Sequence, residues 1–531
     1  MPNTTTESPR STEGGISSPK YGRSRPTSVI IEEGREQKSP TAAGGTRPRP
    51  RPKLSSRATS FAHSAKRASM GARSYSTMSL YTNFAGEHLD DEGTSQGYRT
   101  KRAISEEKSN VPNDDSAIET EQVRATPTAS VGKAMFMFLK AFIGSGVLFL
   151  PKAYANGGVA LSNILMVIIA MICLIAFLHL IKTQLVVGGS YGDMGGTLFG
   201  PTLRYIVLFF IVISQIGFVC SYFIFVSGNF YSVANVLSAC RNHIEQKNYI
   251  WFPLILLIPM SLIRHMARLS FAAIAADVLI LFGLIVIIYF SSDQLYNHGP
   301  GPGIVAVNSM DFGLTIGTAT FSFEGIGLLI PIVESMADPH KFPIVTIFGM
   351  IIVCCIYVLI GTLSYMAYGD QIQAAVIYNF PPDNRLNISV ELLYSLAVML
   401  TMPFMLFPAL KIIENGIFRK FKSGRDSITV KFSKNIYRVI ISVICAVIAY
   451  GIGGENLDKF VAFVGSVACV PLCFIFPGLF HIKVAKRLWE KIIDMALIIW
   501  GVGIMIYTLY VTINSWVHPG HAEVLTPYCP L

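Results

Sequence analysis

The chain has 531 residues, of which 51% are hydrophobic and only 14% are charged. A soluble globular domain carries about 25% charged residues, so this deficit indicates a chain that lies in lipid and argues against a soluble enzyme. The net charge of +10 does not indicate nucleic-acid binding, because a basic excess in a membrane protein normally marks its cytoplasmic loops.

The first 128 residues differ in composition from the remainder. They hold 19 of the 43 Lys and Arg residues and 15 of the 33 acidic residues, and they are rich in Ser, Thr, Pro and Gly. A segment with so few apolar residues cannot bury a core, so we expect 1–128 to be a disordered cytoplasmic tail. Ser18, Ser39 and Ser69 are either kinase sites or unmodified. Kinases and membrane lipid are the macromolecular partners we expect, and nucleic acid is not.

Long apolar runs follow the tail. A helix needs roughly 20 apolar residues to cross about 30 Å of hydrocarbon. The predicted spans lie near 131–153, 157–182, 203–237, 250–264, 270–291, 311–336, 343–368, 388–415, 435–452, 457–480 and 491–516. The sequence therefore predicts an all-α polytopic membrane protein with eleven transmembrane helices at 129–516 and a short C-terminal tail at 517–531. The fourth span is short.

The basic residues are distributed unequally between the two sides of these spans. One set of loops and helix ends holds 17 Lys and Arg residues, and the other set holds five. The excess predicts a cytoplasmic N-terminus and, after eleven spans, a non-cytoplasmic C-terminus. Cys240 and Cys529 then lie in a compartment where disulfides form. They are either bridged or two free thiols.

The first span contains a sequence that weakens a helix. It reads Phe142-Ile143-Gly144-Ser145-Gly146-Val147-Leu148 and is followed by Pro151. Each Gly costs a helix about 1 kcal/mol relative to Ala. A helix break at membrane depth is tolerated only where it lines a cavity or is buried in protein.

The sixth span repeats this arrangement. It reads Phe321-Ser322-Phe323-Glu324-Gly325-Ile326-Gly327, with Pro331 downstream. Paired broken helices in corresponding positions of two halves indicate a transporter binding site. They predict a five-plus-five inverted repeat with discontinuous helices 1 and 6. The alternative is that these glycines only allow close helix packing.

The dipoles of broken helices predict the class of substrate. The N-terminus of a half-helix carries partial positive charge and suits a carboxylate, and the carbonyl end of the other half suits an ammonium group. A zwitterionic amino acid matches both ends. No catalytic constellation, cofactor site or metal-ligand spacing is found in the sequence, so we predict neither an enzyme nor a metalloprotein.

Glu324, Lys140 and Asp277 are acidic or basic residues that lie inside predicted spans. Glu324 lies near the middle of the sixth span, where a charge costs roughly 2.5–3.5 kcal/mol and a protonated carboxyl avoids that cost. Glu324 either couples transport to protons or only braces the break. Lys140 and Asp277 are expected to pair with each other or with Glu324, and either serve coupling or form a structural ion pair. His179 is interpreted as an interfacial residue.

Two motifs resemble those of a known family. The run from Lys140 to Pro151 is similar to the first-span motif of the amino acid/auxin permease family, and Phe323 to Gly327 is similar to its sixth-span motif. The fungal vacuolar amino acid exporter branch, which is related to proton-assisted amino acid transporters, is the most similar. The resemblance implies the leucine transporter fold, amino acid substrates, proton coupling and export from vacuole to cytosol.

The resemblance also implies a substrate site and a coupling site. The implied substrate-binding residues are Phe142, Gly144, Ser145, Gly146, Ser322, Phe323 and Gly325, and the implied coupling residues are Glu324, Asp277 and Lys140. Met137 stands where the proton-assisted relatives carry a His, so a His-based coupling step is not available in the first span. An amino-acid-binding nutrient sensor that signals through its tail is the alternative function.

Overall fold

The computed structural model describes residues 129–239, 241–263, 270–381, 384–418 and 428–518. The predicted tail at 1–128, most of the C-terminal tail and the Cys240–Cys529 pair lie outside the described residues.

The described chain is helical, and its only paired extended residues form one bridge between Ala129 and Met336. We number the α-helices in chain order. They are α1 Val131–Phe142, α2 Leu150–Gly157, α3 Val159–Val187, α4 Tyr191–Phe199, α5 Pro201–Leu237, α6 Leu254–Ser261, α7 Ser270–His298, α8 Phe312–Ser322, α9 Ile326–Ser335, α10 Phe342–Tyr368, α11 Arg385–Ile417, α12 Ile428–Ile452, α13 Leu457–Val464, α14 Phe476–Val484 and α15 Leu488–Val517.

Within these ranges nine helices are long and apolar enough to cross a membrane, or ten if the bent pair α1–α2 is one span. The structure is therefore an all-helical polytopic membrane fold. The predicted fourth span is where the structure differs from the sequence-based count. There α6 has eight residues, which corresponds to about 12 Å, and Pro259 lies inside it. The count of eleven stays a prediction.

The two sequence motifs lie where regular helix stops. Helix α1 ends at Phe142, a 3₁₀ turn covers Ser145–Phe149, and α2 follows from Leu150. The two sides of this break are bent by 43°. In the sixth span α8 ends at Ser322 and α9 begins at Ile326. Both interruptions of regular helix occur beside a Gly-x-Gly sequence, in agreement with the low helix propensity of glycine.

The span containing α8 and α9 and the span containing α13 and α14 are the most enclosed. In each, 83% of the most apolar window is buried. They meet through glycines, because a Cβ built on Gly465 would lie 1.9 Å from the carbonyl oxygen of Gly317. Two π-helical segments, Gly465–Cys469 and Pro471–Ile475, join α13 to α14 at this contact. Helix α8 is thus held backbone to backbone against an irregular neighbour.

A buried ion pair joins three helices at one end of the bundle. The Arg438 side chain on α12 is fully buried, and its Nε and Nη2 donate to the Glu414 carboxylate of α11 at 3.2 and 3.0 Å. Its Nη1 donates to the Ser261 carbonyl at the end of α6, 2.9 Å away. Lys434 contacts the other oxygen of Glu414 at 3.1 Å and is partly exposed.

We expect Arg438→Met to destabilise the protein by about 3–5 kcal/mol, because it leaves the Glu414 charge and the Ser261 carbonyl buried without this donor. Thermal unfolding of the purified protein in detergent measures the effect. Lys434→Met is the matched control, since it removes a more exposed contact to the same carboxylate. If both variants lost the same stability, burial of the Arg438 side chain would not explain the effect of its loss.

Candidate functional site

The break after α1 places backbone groups at membrane depth. The Ile143 N–H still donates to the Leu139 carbonyl at 2.8 Å, and the Gly144 N–H turns back to the Phe142 carbonyl at 2.9 Å. Gly144 is extended, with φ −125° and ψ −154°. A Cβ built on Gly144 would meet no atom within 4 Å. The chain therefore passes open space at Gly144.

One tyrosine hydroxyl connects the ends of the two broken helices. Tyr357 on α10 is fully buried. Its Oη lies 2.6 Å from the carbonyl oxygen of Phe142, the last residue of α1, and 2.9 Å from that of Ser322, the last residue of α8. A helix leaves its final carbonyls without intrahelical donors. Tyr357 therefore supplies one hydrogen that the two terminal carbonyls share.

Small residues allow the two breaks to contact each other directly. The Ser322 Oγ lies 3.1 Å from the Gly146 carbonyl and 2.9 Å from the Thr318 carbonyl. A Cβ on Gly146 would lie 3.1 Å from Ser322 Cα, and one on Gly325 would lie 2.5 Å from the Phe142 ring. Gly146 and Gly325 are thus required by close packing of one break on the other.

The two phenylalanines of the predicted site are buried in ring contacts. The Phe142 ring centroid is 4.6 Å from that of Phe138 and 5.8 Å from that of Phe177. The Phe323 ring centroid is 5.0 Å from that of Tyr357. Both rings support the backbone at the breaks. The side chain of Ser145 lies outside what the structure describes.

Glu324 follows Phe323 in the gap between α8 and α9. Its Oε1 is buried and has no hydrogen-bond partner among the described residues. In that part of the chain no Lys, Arg or His forms an ion pair with it. It lies close to Tyr191, Cys469 and Cys473, which belong to α4 and the π-helical segments. Glu324 therefore lies between the broken sixth span and its irregular neighbour.

The structure joins Lys140 and Asp277, the other predicted ionisable pair. The Lys140 Nζ and the Asp277 Oδ2 form an ion pair between α1 and α7, with side chains 22% and 33% exposed. The sequence left open whether Lys140 and Asp277 pair with each other or with Glu324, and in the structure they pair with each other. Glu324 lacks either residue as an ion-pair partner.

Sequence reasoning did not identify Tyr357, because its partners lie 215 and 35 residues away along the chain and no local pattern marks it. The interpretation of His179 as an interfacial residue stays a prediction. Its side chain is 14% exposed and contacts Asp494 from α15, a residue that sequence reasoning missed.

We expect Tyr357→Phe to keep the ring and remove the hydroxyl shared by the two helix ends. Leaving buried carbonyls without a donor costs about 1–3 kcal/mol, and the relative position of the breaks becomes less defined. Thermal unfolding and the maximal rate of substrate flux should both decrease.

Tyr365→Phe is the matched control on the same helix. The Tyr365 hydroxyl accepts from the Val305 N–H at 3.2 Å, so its loss should lower stability but leave the flux kinetics close to wild type. If both variants changed flux equally, the Tyr357 hydroxyl would have no special role.

The chain matches the family model for "Transmembrane amino acid transporter protein" over residues 127–514. It is 36% identical to "Vacuolar amino acid transporter 3" of Schizosaccharomyces pombe over 82% of this chain and 67% of that protein. It is 38% identical to "Vacuolar amino acid transporter 3" of Saccharomyces cerevisiae, over 83% of this chain and 64% of that protein. The chain thus spans about two thirds of the length of these relatives.

Two solved structures are similar in fold. MhsT in complex with L-phenylalanine matches with a TM-score of 0.50 and 14% identity, over 73% of this chain and 99% of MhsT. Mhp1 in an inward-facing conformation matches with a TM-score of 0.51 and 13% identity, over 74% of this chain and 93% of Mhp1. Both have the leucine transporter fold, and at these identities the likeness shows the fold alone. The family match and the two fungal relatives show that this chain belongs to the transmembrane amino acid transporter family.

Proposed function

We propose that the chain is a secondary transporter that carries amino acids across the vacuolar membrane by alternating access and exports them to the cytosol. The family match and the names of the fungal relatives support the substrate class and the compartment. The observation that carries the mechanism is the meeting of two helix ends at the Tyr357 hydroxyl. That meeting supports a binding site made of backbone rather than of charged side chains.

In the proposed site the substrate carboxylate binds beside Gly144. The open space at this residue supports the assignment. The first N–H groups of the turn that begins at Ser145 have no earlier carbonyl partner within that turn and carry partial positive charge. The ammonium group lies toward the carbonyl end of α8 at Ser322, and Phe142, Phe323 and the remaining glycines keep the two ends together.

Glu324 is the proposed coupling residue. A carboxyl that is buried beside a helix break and lacks an ion-pair partner can be neutral only when it carries a proton. Its protonation therefore changes the charge beside the substrate. Lys140 and Asp277 neutralise each other, which supports a structural role for that pair in holding α1 against α7.

The proposed orientation follows from the distribution of basic residues, with a cytosolic N-terminus. Ten of the eleven proposed spans form two inverted sets of five, and the eleventh follows them, so the C-terminus is lumenal. In this arrangement the substrate site lies midway across the membrane, where alternate opening to either side is feasible.

Flux in proteoliposomes tests the function. The purified full-length protein should carry labelled amino acids, with an amino acid panel giving the preference and a pH gradient changing the rate. Binding without flux would overturn the transporter assignment and would fit a nutrient sensor.

We expect Glu324→Gln to abolish the effect of a pH gradient on flux while substrate exchange at equal pH persists, because the amide cannot carry the coupling proton. Flux with and without the gradient measures this. Glu391→Gln is the matched control, since Glu391 is also buried but accepts from Ser232 and Asn387. A wild-type pH response in the Glu324 variant would remove this residue from coupling.

We expect Gly144→Leu to raise the substrate concentration needed for half-maximal flux at least tenfold, because the side chain fills the open space at the break. Gly503→Leu is the control, as a Cβ on Gly503 on α15 also meets nothing within 4 Å but lies away from the breaks in sequence. Unchanged half-saturation in the Gly144 variant would show that the open space is not the substrate site.

A further inference from the structure

Three ionisable side chains from distant segments meet away from the helix breaks. His179 on α3 and His481 on α14 each direct Nδ1 toward the Asp494 carboxylate of α15. The His179 Nδ1 lies 2.7 Å from Asp494 Oδ1, and the His481 Nδ1 lies 2.9 and 2.8 Å from Oδ1 and Oδ2. The two imidazole rings stack, with centroids 4.0 Å apart. We call this set the His–His–Asp cluster.

Residues of these types also bind metal ions, but the geometry favours hydrogen bonds. Ligand atoms about 2.0–2.1 Å from a tetrahedral metal lie about 3.3 Å from one another, whereas the nitrogen–oxygen distances here are 2.7–2.9 Å. The rings are also nearly parallel, at 25°, and both Nδ1 atoms lie within 2.9 Å of the same carboxylate oxygen, Asp494 Oδ1. These distances are those of direct N–H···O bonds.

The charge of the cluster depends on one proton. An ionised carboxylate only accepts hydrogen bonds, so both Nδ1 atoms that contact it carry hydrogen. With two neutral imidazoles the fully buried Asp494 side chain retains an unbalanced charge, which is costly. One added proton makes the cluster neutral. A second would place two cations in stacked rings 4.0 Å apart, where like charges repel.

The neighbouring charged groups do not replace this proton. Lys182 on α3 and Glu490 on α15 pair with each other at 2.7 Å, and Glu490 also acts electrostatically on His481. On α14, Lys483 lies over the Phe199 ring at 5.0 Å. The nearby cations thus have their own partners.

The two histidines are placed differently with respect to solvent. His481 is fully buried, and its Nε2 has no hydrogen-bond partner among the described residues. His179 is 14% exposed. An added proton leaves a buried N–H without an acceptor if it enters His481, whereas His179 can exchange it with the surroundings. His179 is therefore the ring that gains and loses the proton, and His481 positions the carboxylate.

The cluster is connected to the broken sixth span. Helix α14 continues from the π-helical segment Pro471–Ile475, where the Tyr191 hydroxyl donates to the Leu472 carbonyl at 2.7 Å. The preceding segment packs Gly465 against Gly317 of α8. A continuous path of packed backbone thus runs from α14 to the middle of α8.

We propose that the His–His–Asp cluster is a second proton-binding site, separate from Glu324, that fastens α3, α14 and α15 together when it holds a proton and loosens them when the proton leaves. It makes the protein sensitive to pH on the side where α3 ends.

Thermal unfolding of the full-length protein in lipid nanodiscs, from pH 5.5 to 8 with EDTA present, tests the proposal without any transport. Above about pH 6.5, where the two histidines of the unfolded chain lose their protons, the folded state should bind up to one more proton than the unfolded state, so stability should fall as pH rises from there to pH 8. The unfolding equilibrium then changes by up to about tenfold per pH unit from this site. His179→Gln and Asp494→Asn should each remove that component, and His340→Gln, which changes an exposed histidine, should retain it.

The proposal would be overturned if the unfolding temperature of His179→Gln depended on pH as it does in the wild type. If Asp494→Asn does not fold, the His179→Gln result by itself tests the proposal. In a second set of measurements, the unfolding temperature is recorded with Zn²⁺ in place of EDTA. A Zn²⁺-dependent rise in unfolding temperature that both variants abolish would overturn the proton assignment in favour of a metal site. Because no flux is measured, failure here leaves the transporter proposal untouched.

Discussion

A backbone carbonyl that ends a helix at membrane depth has no water from which to accept a hydrogen bond. Two such ends, at Phe142 and Ser322, meet in this protein, and both carbonyls turn to the Tyr357 hydroxyl. The close approach of Gly146 to Ser322 and of Gly325 to the Phe142 ring depends on that meeting. A shared single hydrogen thus holds the two ends together.

Charge is arranged around this uncharged centre in three separate groups. Lys140 and Asp277 pair between α1 and α7, Arg438 and Glu414 join α12 to α11, and the His–His–Asp cluster joins α3, α14 and α15. Each group contains its own counter-charge or proton. Glu324 alone of the ionisable residues at the breaks lacks an ion-pair partner in the described chain, which is why the coupling proposal rests on it.

Features encoded in short stretches of sequence were predictable. Apolar runs located most spans, and both Gly-x-Gly sequences lie beside interruptions of regular helix, because helix propensity and lipid solvation act locally. Tyr357, His481 and Asp494 were not predictable, since their roles arise from contacts between segments far apart in the chain. The fourth span stays a prediction, because the described helix α6 is short and prolines at 253 and 259 flank and interrupt it.

The central claim is that the two breaks form one substrate site made of backbone. An experimental structure of the protein in a lipid nanodisc with a transported amino acid would test it most directly. The claim predicts density for the substrate carboxylate at the N–H groups following Gly144 and for its ammonium group toward the Ser322 carbonyl. Substrate density elsewhere in the bundle, with the space beside Gly144 unchanged, would contradict it.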